Sequence, residues 1–316
     1  MILLKPVEFP GLTHDRALVF ELGFGNGDFL LYLTKKYPEY LVVGAELANR
    51  YFLVAFRKLL KNSIENFMLY RGDGRTLFRF FVENNRVEAI YINFPDPWEK
   101  PSKEDRRLVS EASLKMYYSR LKLGGKIFIS TDSDVLKEYI RTKLTQLSIK
   151  FEEKSRSPYG FISTKYEKKW LSLNKPVSYF IITKTDERVF DRPEWVSDSM
   201  PNFIFKLKND SRDYHLKLRD ILPLEYKEGG YFYRIDKVYA GDEEYLFRVI
   251  HAEPFLEQKY YISFGISGNK GSIQIDDKNG IIITKLVIKA VKRLSSLIYG
   301  LLGERVIFSN LGEDVL

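Results

Sequence analysis

The chain has 316 residues and no cysteine, which excludes disulfides, cysteine-held zinc or iron–sulfur clusters and a cysteine nucleophile. Its three histidines, His14, His215 and His251, are far apart in sequence, so no metal is expected. Lys and Arg outnumber Asp and Glu by 50 to 42, and the excess is local: residues 1–185 carry 31 against 21, residues 186–316 carry 19 against 21.

Leu18 to Leu22 is a short apolar run that predicts a buried strand. It enters Gly23-Phe24-Gly25-Asn26-Gly27-Asp28, followed by an amphipathic helix to about Tyr37. Leu41 to Glu46 predicts a second strand, ending in an acid. The next helix carries Phe52, Ala55, Phe56, Leu59 and Leu60 at helical spacing. A third strand, Asn66 to Tyr70, is closed by Arg71-Gly72-Asp73-Gly74, with a short helix over Thr76 to Phe81. The fourth strand, Val87 to Ile92, runs into Asn93-Phe94-Pro95-Asp96-Pro97-Trp98. A helix is expected from about Lys103 to Leu121, stopped by Gly124-Gly125. Lys126 to Thr131 is the fifth strand, ending at Asp132, with a helix to about Leu147. Five strand–helix alternations predict an α/β fold, a parallel sheet covered on both faces. Ile149 to Lys154 and Val177 to Thr183 add two strands, making seven.

The pattern then changes. Residues 1–185 read as one domain, 186–201 as a linker with Pro193 and Pro201, and 202–316 as a small C-terminal α+β domain. In that last part, strand pairs flank Ala240-Gly241-Asp242-Glu243 and Gly268-Asn269-Lys270-Gly271, both hairpin signals. A helix over Thr284 to about Leu301 ends at Gly303, with Lys285, Lys289, Lys292 and Arg293 able to form a basic stripe.

Two features carry chemistry. Pro95 and Pro97 fix φ and remove two backbone donors, so the fourth strand must stop and Asp96 is held in a stiff loop at its carboxyl end. A plain strand-end turn is the simpler reading of that motif by itself. The glycine turn is spaced G-x-G-x-G, and Asp28 stands where a nicotinamide fingerprint needs glycine. Acids recur instead at strand ends: Glu21, Glu46, Asp73 and Asp96. Four carboxylates around one crevice repel a pyrophosphate and suit a cation bearing amines and hydroxyls, as in S-adenosylmethionine. Glu46, roughly 20 residues beyond the glycines, has the spacing of a ribose diol acceptor, and Asp73 suits the adenine amine. One acid at a time, the commoner role is a helix cap.

The glycine turn, Asn93 to Trp98, Lys100, Arg106-Arg107-Leu108, Thr131-Asp132 and Thr164-Lys165-Tyr166-Glu167 together resemble the bacterial tRNA (guanine-N7-)-methyltransferases over about residues 18–183. The resemblance implies a Rossmann-like class I methyltransferase with a seven-stranded, mostly parallel sheet. It implies methylation of N7 of the variable-loop guanine, tRNA position 46, with S-adenosylmethionine as cofactor and tRNA as partner. Glu21, Gly23, Gly25, Gly27, Glu46, Asp73 and Asp96 match cofactor positions, and Asp96 also the catalytic one. Lys100, Asp132, Thr164, Lys165, Tyr166 and Glu167 match substrate positions. Ser102, Lys103, Arg106 and Arg107 fall in the segment that touches RNA. The chain departs from the family where Glu99, Glu104 and Asp105 dilute the basic run after Trp98, and where Lys169 and Trp170 replace the usual arginine and glycine.

N7 of guanine has an in-plane lone pair and no proton, so its attack needs no base. The product ring is cationic and its N1–H a better donor, so a carboxylate there strengthens its hold as charge develops. Asp96 is the candidate, and Trp98 is expected to pack beneath the loop rather than stack on a base. Two other readings stay open. One is an RNA amino-group methyltransferase, because Asn93-Phe94-Pro95-Asp96 is close to the proline loop of such enzymes. The other is a non-catalytic RNA-binding protein on a methyltransferase scaffold. No apolar run reaches the roughly 18 residues of a membrane span, and the N-terminus lacks a signal-peptide pattern. A cytoplasmic protein with no membrane contact is expected, as monomer or homodimer.

Overall fold

The computed structural model describes residues 2–3, 16–159, 176–194, 196–197, 199–208, 214–276 and 280–312. The chain divides into two compact units that part between Pro193 and Glu194. In the first, β1 (Ile2–Leu3), β2 (Leu18–Leu22), α1 (Asp28–Lys36), β3 (Leu41–Glu46), α2 (Asn49–Lys61), β4 (Phe67–Arg71), α3 (Gly74–Phe80) and β5 (Val87–Asn93) follow in turn. Then come α4 (Glu111–Arg120), β6 (Leu121–Thr131), α5 (Asp134–Gln146), β7 (Phe151–Lys154) and β8 (Ser178–Thr183). The sheet order is β1-β4-β3-β2-β5-β6-β8-β7. Pairings from β1 to β6 are parallel, and β8 is antiparallel to both β6 and β7. The seven expected strands are present; the eighth, β1, is two residues long, too short to leave a periodic signal.

Strand β2 is buried at every position, because helices cover both faces of the sheet. On one face Phe20 meets Phe78 at 4.6 Å between ring centres. On the other, Tyr91 stacks on Phe128 at 4.7 Å and Phe29 meets Tyr159 edge-on at 5.0 Å. Each of these rings except the half-buried Phe128 contributes about 1.5–3 kcal/mol through its burial.

The expected helix from Lys103 is interrupted. Pro101–Arg106 is a 3-10 turn, Arg107 is extended at φ −61°, ψ 129°, and α4 starts only at Glu111. The start is set by Ser110, whose hydroxyl accepts from Ser113 N while the Ser113 hydroxyl accepts from Ser110 N. The helix also ends earlier than the glycines, at Arg120, and β6 runs on through Gly124, which takes φ +80°. The first half of the segment read as a linker belongs to this unit: Asp191 pairs with Arg120, and Arg188 donates to the carbonyls of Leu147 and Ser148.

Chain order places the site. From β2 the chain winds outward through β3 and β4, then returns so that β5 enters on the other side of β2. A crevice opens outside the carboxyl ends of strands at such a reversal. Register brings Leu22 level with Ala45 and Ile92, so Glu21, Glu46 and Asn93 reach one edge.

The second unit comprises β9 (Asn202–Leu207), α6 (Tyr214–Asp220), β10 (Leu224–Glu228), β11 (Tyr231–Ala240), β12 (Glu244–Glu253), β13 (Leu256–Ser267), β14 (Lys270–Ile275), α7 (Lys285–Leu302) and β15 (Gly303–Ser309). Its sheet is antiparallel, in the order β10-β11-β12-β13-β14-β9-β15. Strand β12 alternates, with Tyr245, Phe247, Val249 and His251 inward. Helix α7 buries Leu286, Val287, Ala290, Val291, Leu294 and Ile298 in the same core. Both expected hairpins are present, whereas β9, β10, β15 and α6 were not anticipated as elements.

Candidate active site

A cavity of about 580 Å³ lies at the reversal point, walled by the ends of β2, β3 and β5, the glycine turn, the start of α3 and the Phe94–Trp98 loop. Glu21, Gly23, Gly25, Glu46, Asp73 and Asp96 all line it.

Glu21 forms the deepest polar wall. It is 2% exposed, and its Oε2 has no hydrogen-bond partner among the described residues. Burial pushes its carboxyl well above the ordinary carboxylate range, with the nearby carboxylates of Glu46 and Asp28 adding to the shift and Asn93 opposing it. Beside it, Asn93 Oδ1 accepts from the Ser130 hydroxyl at 2.8 Å, which leaves Nδ2 buried and without a partner among the described residues. On one cavity wall, Glu21 Oε2 can take a donor, and the neighbouring Asn93 amide, which helps hold the Glu21 carboxyl down, can turn its Nδ2 to an acceptor. An α-amino acid end, ammonium plus carboxylate, meets both needs.

Glu46 uses its two oxygens to fix the turn. Oε2 accepts from Gly25 N and Oε1 from Ala48 N, each at 2.9 Å, and each oxygen keeps a lone pair for a diol. Gly23 and Gly25 take φ +75° and +53°, and a Cβ at either would meet nothing within 4 Å, so the backbone itself faces the cavity. Gly27, expected with them as a cofactor residue, does not line the cavity; a Cβ there would sit 2.5 Å from Ala55 Cβ, so it serves the contact with α2. Asp73 takes the commoner role of a strand-end acid. It caps α3 through Arg75 N at 2.9 Å and pairs with the Arg75 guanidinium, Nη2 to Oδ2 at 2.6 Å and Nε to both oxygens at 3.0 Å. The acceptor capacity expected for an adenine amine is therefore taken up by Arg75.

The loop after β5 is strained and braced. Phe94 and Trp98, both non-glycine, have φ +50° and +40°, and they bracket Pro95-Asp96-Pro97. Asp96 is exposed, lines the cavity and makes no hydrogen bond to another described residue. Arg107 is the brace: its Nε donates to Pro97 O at 2.8 Å and its Nη2 to Trp98 O at 3.1 Å. Arg75 joins in, donating from Nη1 to Asp105 O at 2.7 Å and Arg107 O at 3.1 Å.

Residues 15–180 match the protein-family model described as "Putative methyltransferase". The chain is similar to a tRNA (guanine-N(7)-)-methyltransferase of Aquifex aeolicus, 29% identical over 93% of this chain and 96% of the relative. It is similar to one of Thermotoga maritima, 28% identical over 87% and 89%, and to one of Limosilactobacillus fermentum, 31% identical over 56% of this chain and 87% of the relative. This chain belongs to the tRNA (guanine-N7-)-methyltransferase family. The second unit is not peculiar to it, because a match over 93% of the chain necessarily extends through most of that unit.

The other residues that the family pattern singled out fall into four groups. Lys100, Ser102 and Arg106 are exposed and Lys103 half-buried on the 3-10 turn and its approach, and Arg106 lines the cavity. Asp132 follows β6 at the same sheet edge but does not line the cavity. Arg107, expected in the segment that touches RNA, is only 4% exposed; its guanidinium serves the loop and sits 4.4 Å over the Tyr139 ring. Thr164, Lys165, Tyr166 and Glu167 lie outside the described residues. Trp98, expected beneath the loop, instead lines the cavity, with Lys103 Nζ and Arg106 5.4 and 5.5 Å from its ring centre.

Sequence reasoning gave no role to Asn93, Arg75 or Leu47. Leu47, 72% exposed, stands directly after the β3 acid on the cavity wall. The Asp73-Gly74-Arg75 spacing was a legible signal, since a capping acid two residues before an arginine invites the local ion pair.

Proposed function

We propose that this protein transfers the methyl group of S-adenosylmethionine to N7 of the variable-loop guanine of tRNA, working in the cytoplasm. The reading rests on one juxtaposition in a chain of this family: the buried carboxyl of Glu21, whose Oε2 has no hydrogen-bond partner among the described residues, and the loop carboxylate of Asp96 line the same cavity. S-adenosylmethionine, when bound, supplies a methyl group activated by a sulfonium. Glu21 and Asn93 would hold its amino-acid end, the bare backbone of Gly23 and Gly25 would let it approach, and Glu46 would accept from its ribose hydroxyls. Leu47 and Tyr51 offer apolar wall for the adenine, with Asp73 shaping that side through its cap.

Guanine needs no general base, since N7 attacks with a free lone pair. Asp96 accepts from the guanine N1–H and exocyclic amine, and that hydrogen bond tightens as positive charge enters the ring. The stiff Pro95-Asp96-Pro97 frame limits how far the carboxylate can drift, so alignment costs little at the moment of transfer. Lys100, Lys103 and Arg106 supply cations for tRNA phosphates, with Asp132 close to the substrate at the same sheet edge. Residues 1–185 carry the methyl transfer, and residues 202–316 are accessory to it.

The test is nucleoside mass spectrometry of tRNA incubated with the protein and labelled S-adenosylmethionine. N7-methylguanosine is the expected product, and label on an exocyclic amine would overturn the reading. Asp96→Ala is expected to lower turnover about 10²–10³-fold, with cofactor affinity weakened far less. Full activity in that variant would remove Asp96 from the mechanism.

A further inference from the structure

The second unit has a cavity of its own. About 550 Å³ in volume, it lies between α7 and the β10–β11 edge of the sheet. Lys289, Lys292 and Arg293 line it from the helix, joined by Ser296 and Leu297 a turn later, the spacing that puts residues on one helical face. Ile221 and Leu224 form the apolar side, and Tyr233 the inner wall. No lining residue is acidic.

Among the described residues the three cations have no counter-charge. Lys289 Nζ sits 3.6 Å from the centre of the Tyr226 ring. Arg293 donates from Nη1 to the Glu225 carbonyl at 2.8 Å, which leaves the rest of its guanidinium fork free to turn on an anion. None of the three forms an ion pair among the described residues, although the same unit pairs Arg234 with Glu225 and Arg248 with Asp236. Tyr233 closes the inner wall, fully buried and stacked on Tyr226 at 5.6 Å.

A merely solvated helix face explains the lysines but not that Lys289, Lys292 and Arg293 all line one cavity beside apolar Ile221 and Leu224. Three cations beside apolar surface fit a phosphate group with a sugar attached. We propose that this cavity is a phosphate site and that its occupant is a backbone phosphodiester of the RNA substrate. The identity of the RNA rests on the function proposed above; the phosphate chemistry does not. The second unit then adds an electrostatic contact to RNA although its net charge is close to zero, because the basic residues are gathered at one place.

The test uses the full chain and a double variant, Lys289→Ala with Lys292→Ala. Its dissociation constant for tRNA is expected to rise about 5–10-fold near 0.1 M salt, and the slope of log affinity against log salt to flatten by about 1–2. Turnover at saturating tRNA and the melting temperature are expected to hold. The charge-keeping pair, Lys289→Arg with Lys292→Arg, is expected to restore affinity, which separates lost charge from lost folding. An unchanged tRNA constant and slope in the alanine pair overturns the proposal. So does calorimetric binding of inorganic phosphate or adenosine monophosphate that the alanine pair abolishes while tRNA affinity stays intact, since the site would then serve a small anion. These readouts are of binding, so a tRNA that binds but gains no N7-methylguanosine would count against the proposed reaction and leave the phosphate site standing.

Discussion

Arg107 reaches back ten residues to Pro97 and donates to its carbonyl oxygen at 2.8 Å, with a second bond to Trp98 O at 3.1 Å. A buried guanidinium thus grips the backbone on the far side of Asp96. Arg75, paired with Asp73 on the opposite wall, holds the carbonyl of Arg107 itself. The two sides of the cavity are therefore joined by one run of hydrogen bonds, from the α3 cap to the loop that presents Asp96.

Arg107→Lys keeps the charge and loses the fork that reaches two carbonyls at once. Loosening the loop is expected to lower kcat about 10–100-fold, while the Kd for S-adenosylhomocysteine changes by less than about threefold, because Glu21 and the glycine turn are untouched. Steady-state kinetics beside calorimetry checks this. Equal losses in kcat and cofactor affinity would mean that Arg107 supports the whole cavity rather than the loop.

Glu21 gives the ligand-free protein a pH dependence with a definite sign. Its carboxyl is raised well above 4.5 by burial, so between that ordinary value and the raised one the folded state binds more protons than the unfolded. Stability from this group is present below about 4.5 and is lost as pH rises through the folded value. Binding a cationic amine favours ionised Glu21, so S-adenosylhomocysteine affinity is expected to rise with pH over the same window, with proton release. Calorimetry in two buffers of different ionisation enthalpy measures the proton count, and Glu21→Gln is expected to abolish it. A wild-type count of zero across that window would refute the linkage.

Trp98 stands at the cavity mouth with two cations near its ring. Trp98→Ala is expected to raise the KM for tRNA about 5–20-fold, and Trp98→Phe to recover most of that. Tritiated-methyl transfer over a tRNA concentration series reads it. A fall in thermal stability with unchanged KM would return Trp98 to the packing role first expected of it.

Arg120 is fully buried, and its guanidinium bonds to Asp191 Oδ2 at 2.7 Å, Asp191 O at 2.9 Å and Phe78 O at 2.9 Å. Burial pulls its pKa down, and the Asp191 carboxylate works against that pull. Asp191 is 43% exposed, so water screens part of the pair. Asp191→Ala is expected to cost about 1–3 kcal/mol, read from the urea midpoint. A loss under about 0.5 kcal/mol would show that the carbonyl acceptors suffice.

Alternating apolar runs and turn residues made the seven principal strands of the first unit and their α/β class legible, because each strand buried on both faces leaves a continuous apolar run. Where a helix begins was less legible. The start at Glu111 depends on a reciprocal bond between Ser110 and Ser113, while Lys103 to Arg106 has the composition of a helix and forms only a 3-10 turn behind Pro101. In the second unit, β10 and β15 were missed because edge strands with one wet face keep a weak apolar signal.

For the site, the sequence by itself determined which residues gather at the sheet edge. Glu21, Glu46, Asp73 and Asp96 each end or follow a strand, and parallel strands align their carboxyl ends. Only the tertiary structure decided what each acid is free to do. Glu21 is buried with its Oε2 unpartnered among the described residues, Glu46 pins the glycine turn, Asp73 is spent on Arg75, and the Asp96 loop is braced by an arginine first read as an RNA contact. The reason is that burial and partners are set by groups distant along the chain. The separations of 10 positions from Pro97 to Arg107 and 21 from Gly25 to Glu46 are closed by packing, which local periodicity does not encode.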